Sequence, residues 1–155
     1  MTRIWQVSQQ EQPSLAGLVN LRHLPNLHIF ANRPIIKCDG REPVVLRDIN
    51  LVLSTIPKTN QVTKLSLDFT IVGEHPFSGC LEEDWVGMCD EVVRISTGKP
   101  LEFYLEMSIT PPRYRYPPRG GDELYKRIKE KMASLSDHSN IHTHIWHPRS
   151  DNNIL

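Results

Sequence analysis

The sequence predicts an α/β domain of repeated helix–strand units, with a parallel sheet that carries helices on one face. Four segments alternate apolar and polar residues, the pattern of strands with one covered face: 26–31, 64–72, 100–109 and 140–147. Each follows a segment in which apolar residues recur at helical spacing. The first apolar residues of the strands are Leu27, Leu65, Leu101 and Ile141, at separations of 38, 36 and 40 residues. Such regular spacing indicates an internal repeat of one helix and one strand.

The predicted helices cover residues 14–24, 44–56, 84–96 and 122–135. Their apolar stripes are Leu15, Leu18 and Val19; Val45, Ile49, Val52 and Ile56; Trp85, Met88, Cys89 and Val92; and Leu124, Ile128, Met132 and Leu135. Asp84 and Asp122 suit N-caps, and Gly98 followed by Pro100 suits a helix C-terminus. Residues 4–7 suit a further short strand, 110–121 a proline-rich loop and 148–155 a frayed tail.

These elements fit one domain that spans residues 1–155. Helices and strands that alternate through short loops imply parallel strands joined by right-handed crossovers. The expected architecture is an open layer or a short, curved solenoid.

Strand alternation assigns the side chains to two faces of the sheet. We expect the inward set to pack under the helices: Leu27, Ile29, Ala31, Leu65, Leu67, Phe69, Leu101, Phe103, Leu105, Ile141, Thr143 and Ile145. The outward set is mixed: His28, Phe30, Ser66, Asp68, Thr70, Glu102, Tyr104, Glu106, His142, His144 and Trp146. A parallel sheet covered on both sides is apolar on both, so one face is expected to be open.

Aromatic rings among polar groups are typical of recognition surfaces. The predicted protein-binding residues are Phe30, Asp68, Glu102, Tyr104, Glu106, His142, His144 and Trp146. The alternative is an ordinary solvated sheet face, since exposed aromatic residues are common.

The overall charge gives no sign of a polyanionic partner. Eighteen basic and eighteen acidic residues cancel, so neither nucleic acid nor an anionic membrane is expected to bind. The three cysteines, Cys38, Cys80 and Cys89, are odd in number and contain no CxxC pair, which favours a reducing compartment. No segment has the apolar length of a signal peptide or a membrane span, and we expect the cytosol or the nucleus.

Three stretches resemble a known family: LSTIPKTNQVTKLSLDFTIVGEHPF, CLEEDWVGMCDEVVRISTGKPLEFYLEM and DELYKRIKEKMASLSDHSNIHTHIWHP. They are similar to the leucine-rich-repeat-like region of F-box proteins from mushroom-forming fungi. The resemblance implies an interaction module, the substrate-recognition part of a ubiquitin ligase receptor, whose F-box docks to the Skp adaptor of a cullin ligase. The chain departs from the pattern: it has no F-box-like LPxEIL segment and no asparagine ladder, and its period exceeds the about 20–29 residues of regular leucine-rich repeats. The resemblance brings no catalytic residues.

A histidine cluster supports a second hypothesis, a small metal-dependent enzyme. Four of the seven histidines fall close together: His138, His142, His144 and His147. His142 and His144 share a strand face and could chelate Zn²⁺ or Fe²⁺, with Glu102 as a further ligand. The simpler interpretation, which we prefer, is a set of exposed histidines in which Glu102 pairs with His142.

Other chemistries find little support. Cys89 falls on an apolar helix stripe, and neither Cys80 nor Cys89 has an orienting base nearby in the sequence. The arginines and tyrosines of loop 110–121 suit a solvated linker or a polyproline-type contact better than a nucleic-acid site. The sequence therefore predicts a non-catalytic module that binds a protein or peptide and needs no cofactor.

Overall fold

The computed structural model describes residues 2–6, 25–34, 45–72, 78–110 and 121–146. The strands are β1 Thr2–Gln6, β2 Asn26–Pro34, β3 Lys64–Val72, β4 Leu101–Thr110 and β5 Ile141–Trp146. The helices are α1 Val45–Ser54, α2 Ser78–Glu82, α3 Trp85–Ser96 and α4 Gly121–Lys131, and a 3-10 helix Ala133–Asp137 follows α4. The predicted helix 14–24, nearly all of the predicted loop 110–121 and the predicted tail 148–155 lie outside the described residues.

The strands form one sheet in the order β1-β2-β3-β4-β5. All of the pairs between neighbours are parallel. The predicted α/β class with a parallel sheet is therefore confirmed. The strand predicted at residues 4–7 is also present, although it begins and ends earlier, as β1.

The register differs from the predicted alignment at one strand pair. Leu65 lies beside Leu27, as expected, but its partner on β4 is Phe103 rather than Leu101. Leu101 pairs with Ile141 on β5, as expected. Side chains alternate with a period of two, so a shift of two residues leaves every side chain on its predicted face. The apolar pattern thus determines which face of the sheet each side chain occupies. It does not distinguish between strand registers that differ by an even number of residues.

One apolar core joins the helices to the inward side of the sheet. Its strand members are Leu27, Leu65, Leu67, Phe69, Ile71, Leu101, Phe103, Leu105, Met107 and Ile141. Its members from the helices and the turns beside them include Leu46, Ile49, Val52, Leu53, Ile56, Trp85, Met88, Cys89, Val92, Ile95, Leu124, Ile128, Met132 and Leu135. Thr143 and Ile145 were also predicted to pack under the helices, but both are only half-buried on β5, the last described strand. The side chains of Ile29 and Ala31 lie outside the described part of the chain.

The helix ends follow the local sequence, with two corrections. Asp84 caps α3, as predicted, and accepts a 2.8 Å hydrogen bond from the backbone N–H of Gly87. Asp122 is not a cap, because α4 already begins at Gly121 and Asp122 lies in its first turn. Helix α3 ends at Ser96, two residues before Gly98, and the C-cap is Thr97 at φ 46°. Gly98 follows at φ 75°, a left-handed conformation that glycine adopts without steric cost.

Arg94 of α3 ties its helix to the C-terminus of α1. Its guanidinium donates hydrogen bonds of 2.6 Å to the carbonyl oxygens of Leu53 and Ile56. Glu91, one turn earlier on α3, holds the same guanidinium at 2.6 Å. The last carbonyls of a helix have no partner within the helix, and this cation bonds one of them, at Leu53. It also bonds the carbonyl of Ile56, two residues beyond α1, and so lies near the negative end of the α1 dipole.

A polar ladder of Asn60, Lys99 and Asn140 runs along the segments that enter β3, β4 and β5. Asn60 is buried and donates to the carbonyl of Ile95 at 3.1 Å. Lys99 Nζ donates to Asn60 Oδ1 at 2.6 Å, and Asn140 Nδ2 donates to the carbonyl of Lys99 at 2.9 Å. The sequence does not predict this ladder, because only two of its three members are asparagine.

Candidate interaction surface

Where β3, β4 and β5 all pair, their outward side chains form a grid, which we call the open face. Register places them in three rows: Lys64, Glu102 and His142; Ser66, Tyr104 and His144; Asp68, Glu106 and Trp146. Phe30 joins the third row through its pairing with Asp68, but its side chain lies outside the described residues. The structure thus brings the eight predicted site residues onto neighbouring strands in three rows, as the alternation predicts.

The open face differs sharply from the inward face in burial. Its residues are exposed or half-buried, whereas the alternating positions of β3 and β4 lie in the core. Each of the four described α-helices contributes residues to the core. Within the described ranges, no element contacts the open face strongly enough to bury it. The face therefore presents ordered strand side chains to solvent.

Tyr104 is the centre of the open face. Its ring stacks on the imidazole of His144, with the ring centroids 4.5 Å apart and the planes 12° from parallel. Lys64 Nζ lies 4.4 Å from the centroid of the Tyr104 ring, a cation–π contact. The Tyr104 hydroxyl donates to Glu102 Oε2 at 3.1 Å. Contacts from three strands thus restrict this ring to one orientation.

The hydroxyl of Tyr104 serves as a donor rather than as a base. Its hydrogen bond to the Glu102 carboxylate favours the protonated phenol, and the negative charge of Glu102 acts in the same direction. Both effects raise the pKa of Tyr104 above the ordinary value for a phenol. Proton abstraction by Tyr104 at neutral pH is therefore disfavoured.

The third row combines two carboxylates with an exposed indole. Asp68 and Glu106 are direct register partners on β3 and β4, and Glu106 in turn pairs with Trp146 on β5. The side chain of Trp146 is 56% exposed. This row therefore places two carboxylates beside an exposed aromatic surface.

Lys64 is the member of the face that sequence reasoning missed. The predicted outward set on this strand starts at Ser66, although Lys64 lies two residues earlier and has the same orientation. Extending the alternation to the first strand residue would have identified it. Its cation–π contact with Tyr104 could not be predicted, since it depends on the register between β3 and β4.

The histidine cluster does not assemble a metal site among the described side chains. His142 and His144 lie on the outward side of β5, as predicted, and both are exposed. His144 stacks on Tyr104, and the hydrogen bond of Glu102 goes to Tyr104. No three His, Cys, Asp or Glu side chains converge in the described part of the chain. His147 lies outside the described residues.

The thiols of Cys80 and Cys89 are buried in the helix layer. Burial raises the pKa of Cys80 to about 12, and the nearby Glu83 charge contributes to the shift. Burial also raises the pKa of Cys89. A thiol with a raised pKa holds little thiolate at neutral pH, so neither is an activated nucleophile. Cys38 lies outside the described residues.

The carboxyl side chain of Glu83 lies between α2 and α3 with only 9% of its surface exposed. Burial raises its pKa to about 7, and the charges of Asp48 and Asp84 add to the shift. Its Oε1 atom has no hydrogen-bond partner among the described groups. Nearby, Asn50 Nδ2 donates to the backbone carbonyl of Asp84 at 3.1 Å and joins α1 to the start of α3.

In comparisons with known proteins, no family model, no curated protein and no solved structure matches this chain. Among the described helices, none has the length and apolar character needed to cross a membrane. The interpretation of the open face therefore depends on its own geometry and chemistry.

Proposed function

We propose that this chain is a non-catalytic interaction module that binds a protein or peptide on the open face. The observation that carries the proposal is the ordered cluster around Tyr104, with the exposed Trp146 beside it. Aromatic side chains dominate binding energy at interfaces, and a group already held in place loses little entropy on binding. The raised pKa values of Tyr104, Cys80 and Cys89 also favour binding over nucleophilic or base catalysis.

We further propose that the domain consists of repeated helix–strand units of leucine-rich-repeat-like type. Sequential strand order supports this, as do register offsets of 38 residues from Leu27 to Leu65 and from Leu65 to Phe103. The polar ladder supports it too, because its members occupy comparable places before successive strands. Stacked units present a continuous strand surface, which repeat proteins use for binding.

The resemblance to F-box proteins suggests what such a surface would serve. In that family the repeat region selects the substrate that the ligase modifies. The open face would then be the substrate-recognition surface of an F-box-like receptor. The residues proposed to recognise the substrate are Tyr104, Trp146, Asp68 and Glu106.

The test compares captured proteins between two matched double variants of the full chain. Tyr104→Ala/Trp146→Ala removes the aromatic surface of the open face. Leu51→Ala/Val86→Ala removes two apolar side chains of the helix layer, which are 54% and 63% exposed. Both double variants delete exposed apolar surface, so only the location of the change differs. Circular dichroism and thermal melting check that both remain folded.

The proposal predicts that a protein captured by the wild-type chain is lost with the first variant and retained with the second. It would be wrong if the captured proteins were the same for all three chains. Loss with the helix-layer variant alone would also contradict it, since binding would then occur on the opposite side of the domain.

A further inference from the structure

We propose that two copies of this chain pair through β5, antiparallel to each other and around a two-fold axis at Thr143. The pairing uses the side of β5 that faces away from β4, which we call the outer edge. This inference goes beyond the proposed function and does not depend on it, because the outer edge is distinct from the open face. It follows from the backbone groups of β5 and from the partners that they have.

The outer edge is formed by alternate residues of β5. This strand is the last of the sheet, and it pairs only with β4 in the described part of the chain. The backbone N–H of Leu101 on β4 donates to the carbonyl of Asn140 at 2.9 Å. Residues of an edge strand direct their backbone groups alternately toward the neighbouring strand and away from it. The even-numbered residues of β5 therefore bond to β4, and the outer edge carries the backbone groups of Ile141, Thr143 and Ile145.

Some backbone groups of the outer edge have partners inside the chain, and the others do not. The N–H of Ile141 donates to the carbonyl of His138 at 2.9 Å. The carbonyl of Ile145 accepts a 2.6 Å hydrogen bond from the hydroxyl of Tyr125. Among the described residues, no group pairs with the carbonyl of Ile141, with the N–H of Ile145, or with either backbone group of Thr143. An edge with such groups is a template for pairing with another chain.

The unpaired donors and acceptors complement each other across a two-fold axis. In an antiparallel pair centred on Thr143, the N–H and the carbonyl of Thr143 bond to the same residue of the second copy. The N–H of Ile145 then donates to the carbonyl of Ile141 in the second copy, and symmetry repeats this bond at the other end. These bonds are contiguous, with each partly positive donor facing a partly negative acceptor. The N–H of Ile141 and the carbonyl of Ile145, which already have internal partners, lie just beyond the two ends of this ladder.

The side chains of β5 permit the same pairing. The strand, IHTHIW, contains no lysine, arginine, carboxylate or proline, and its register with β4 has no bulge. Natural edge strands use these features to prevent pairing between chains. On the inward side, Ile141 lies opposite Ile145 of the second copy, so each copy covers a half-buried isoleucine of the other. On the outward side, His142 lies opposite His144.

The dimer has a consequence for the open face. Residues that lie opposite each other in an antiparallel pair point to the same side of the sheet. The two five-stranded sheets therefore join into one, with both open faces on the same side. A partner with two recognition segments could engage both faces at once, which increases its overall affinity without any new contact.

Sedimentation velocity of the full chain over a range of concentrations tests the pairing. We expect the mass of the wild-type species to rise toward twice that of one chain. Thr143→Pro removes an outward N–H from each copy but no bond to β4, and edge strands accept proline in this orientation. This variant should therefore keep the mass of one chain at the same concentrations. Thr143→Val keeps the N–H and should form the dimer as the wild type does, and circular dichroism checks that both variants fold.

Three results would overturn the proposal. One is a wild-type chain that stays monomeric up to about 1 mM. Another is a folded Thr143→Pro variant that dimerises like the wild type, since a different surface would then join the copies. The third is a mass that rises beyond two chains, because a two-fold pair is closed.

Disulfide cross-linking tests the register without the proline variant. One chain carries His142→Cys and the other His144→Cys, both with Cys38 replaced by serine, while Cys80 and Cys89 are buried. In the proposed pair, position 142 of one copy lies opposite position 144 of the other, within reach of a disulfide, whereas two copies of position 142 are offset along the strands. Under a mild oxidant, the mixed chains should cross-link at least about tenfold faster than either chain alone. Equal rates for the mixture and the separate chains would contradict the pairing.

Discussion

Removal of the Arg94 guanidinium should destabilise the domain strongly, because this side chain joins α3 to the end of α1. The Arg94→Met variant keeps the aliphatic stem but loses the hydrogen bonds to the carbonyls of Leu53 and Ile56, both 2.6 Å. Hydrogen bonds that involve a charged group contribute about 1.5–3 kcal/mol each. Because Arg94 is partly solvated, the lower end applies, and two bonds give a loss of about 3 kcal/mol.

Two further variants separate charge from geometry. Arg94→Lys keeps the positive charge near the C-terminus of α1 but cannot bridge both carbonyls, so we expect it to lose about half as much stability. Arg127→Met changes an exposed arginine on α4 and should cost no more than about 0.5 kcal/mol.

The assay is equilibrium unfolding in urea, followed by circular dichroism at neutral pH. With a slope of about 2 kcal/mol per molar urea, a loss of about 3 kcal/mol lowers the unfolding midpoint by about 1.5 M. If Arg94→Met and Arg127→Met had the same midpoint, the side chain would not join α1 to α3 energetically, and the reasoning would be refuted.

Three other predictions concern buried polar groups and the histidines. The pKa of Glu83 rises from 4.5 to about 7 on folding, so the native state retains its proton as the pH increases through this interval. The contribution of Glu83 to stability is therefore complete below pH 4.5 and is lost by about pH 7. The free energy of unfolding falls by at most about 3 kcal/mol over this interval. Glu83→Gln should remove the decline, which urea unfolding at pH 5 and pH 8 would measure. Thr143 Oγ1 is buried without a hydrogen-bond partner among the described residues, so Thr143→Val should raise the free energy of unfolding by about 1 kcal/mol. A loss of stability in this variant would show that the hydroxyl does form a hydrogen bond. Elemental analysis of purified protein should find no stoichiometric zinc or iron, whereas metal that disappears in His142→Ala/His144→Ala would establish a metal site.

The sheet and its two faces could be predicted because they depend on one local property, the alternation of side chains along a strand. Leu65, Leu67 and Phe69 are buried, while Ser66 and Asp68 between them remain accessible. Because neighbouring residues of a strand point to opposite faces, a short stretch of sequence is enough to assign side chains to each face.

Features that depend on relations between distant segments were harder to predict. The pairing of Leu65 with Phe103 is one of several even registers that bury the same side chains. The contact of Arg94 with Ile56 joins residues 38 positions apart, and nothing in either local pattern indicates it. Helix α2 is only five residues long, too short for a helical stripe to be recognised. The unusual pKa of Glu83 likewise depends on burial between segments that the sequence alone does not bring together.

The most direct test of the open face is to block it chemically in the folded protein. Ser66 lies in the second row beside Tyr104, so Ser66→Cys places a thiol near the centre of the face. Glu123→Cys places one on the exposed side of α4, and Cys38 is replaced by serine in both chains so that it does not react. After labelling with a bulky maleimide, the chain labelled at position 66 should no longer capture its protein partner, and the chain labelled at position 123 should capture it normally. Capture that persists with position 66 fully labelled would contradict the assignment of the open face as the binding surface.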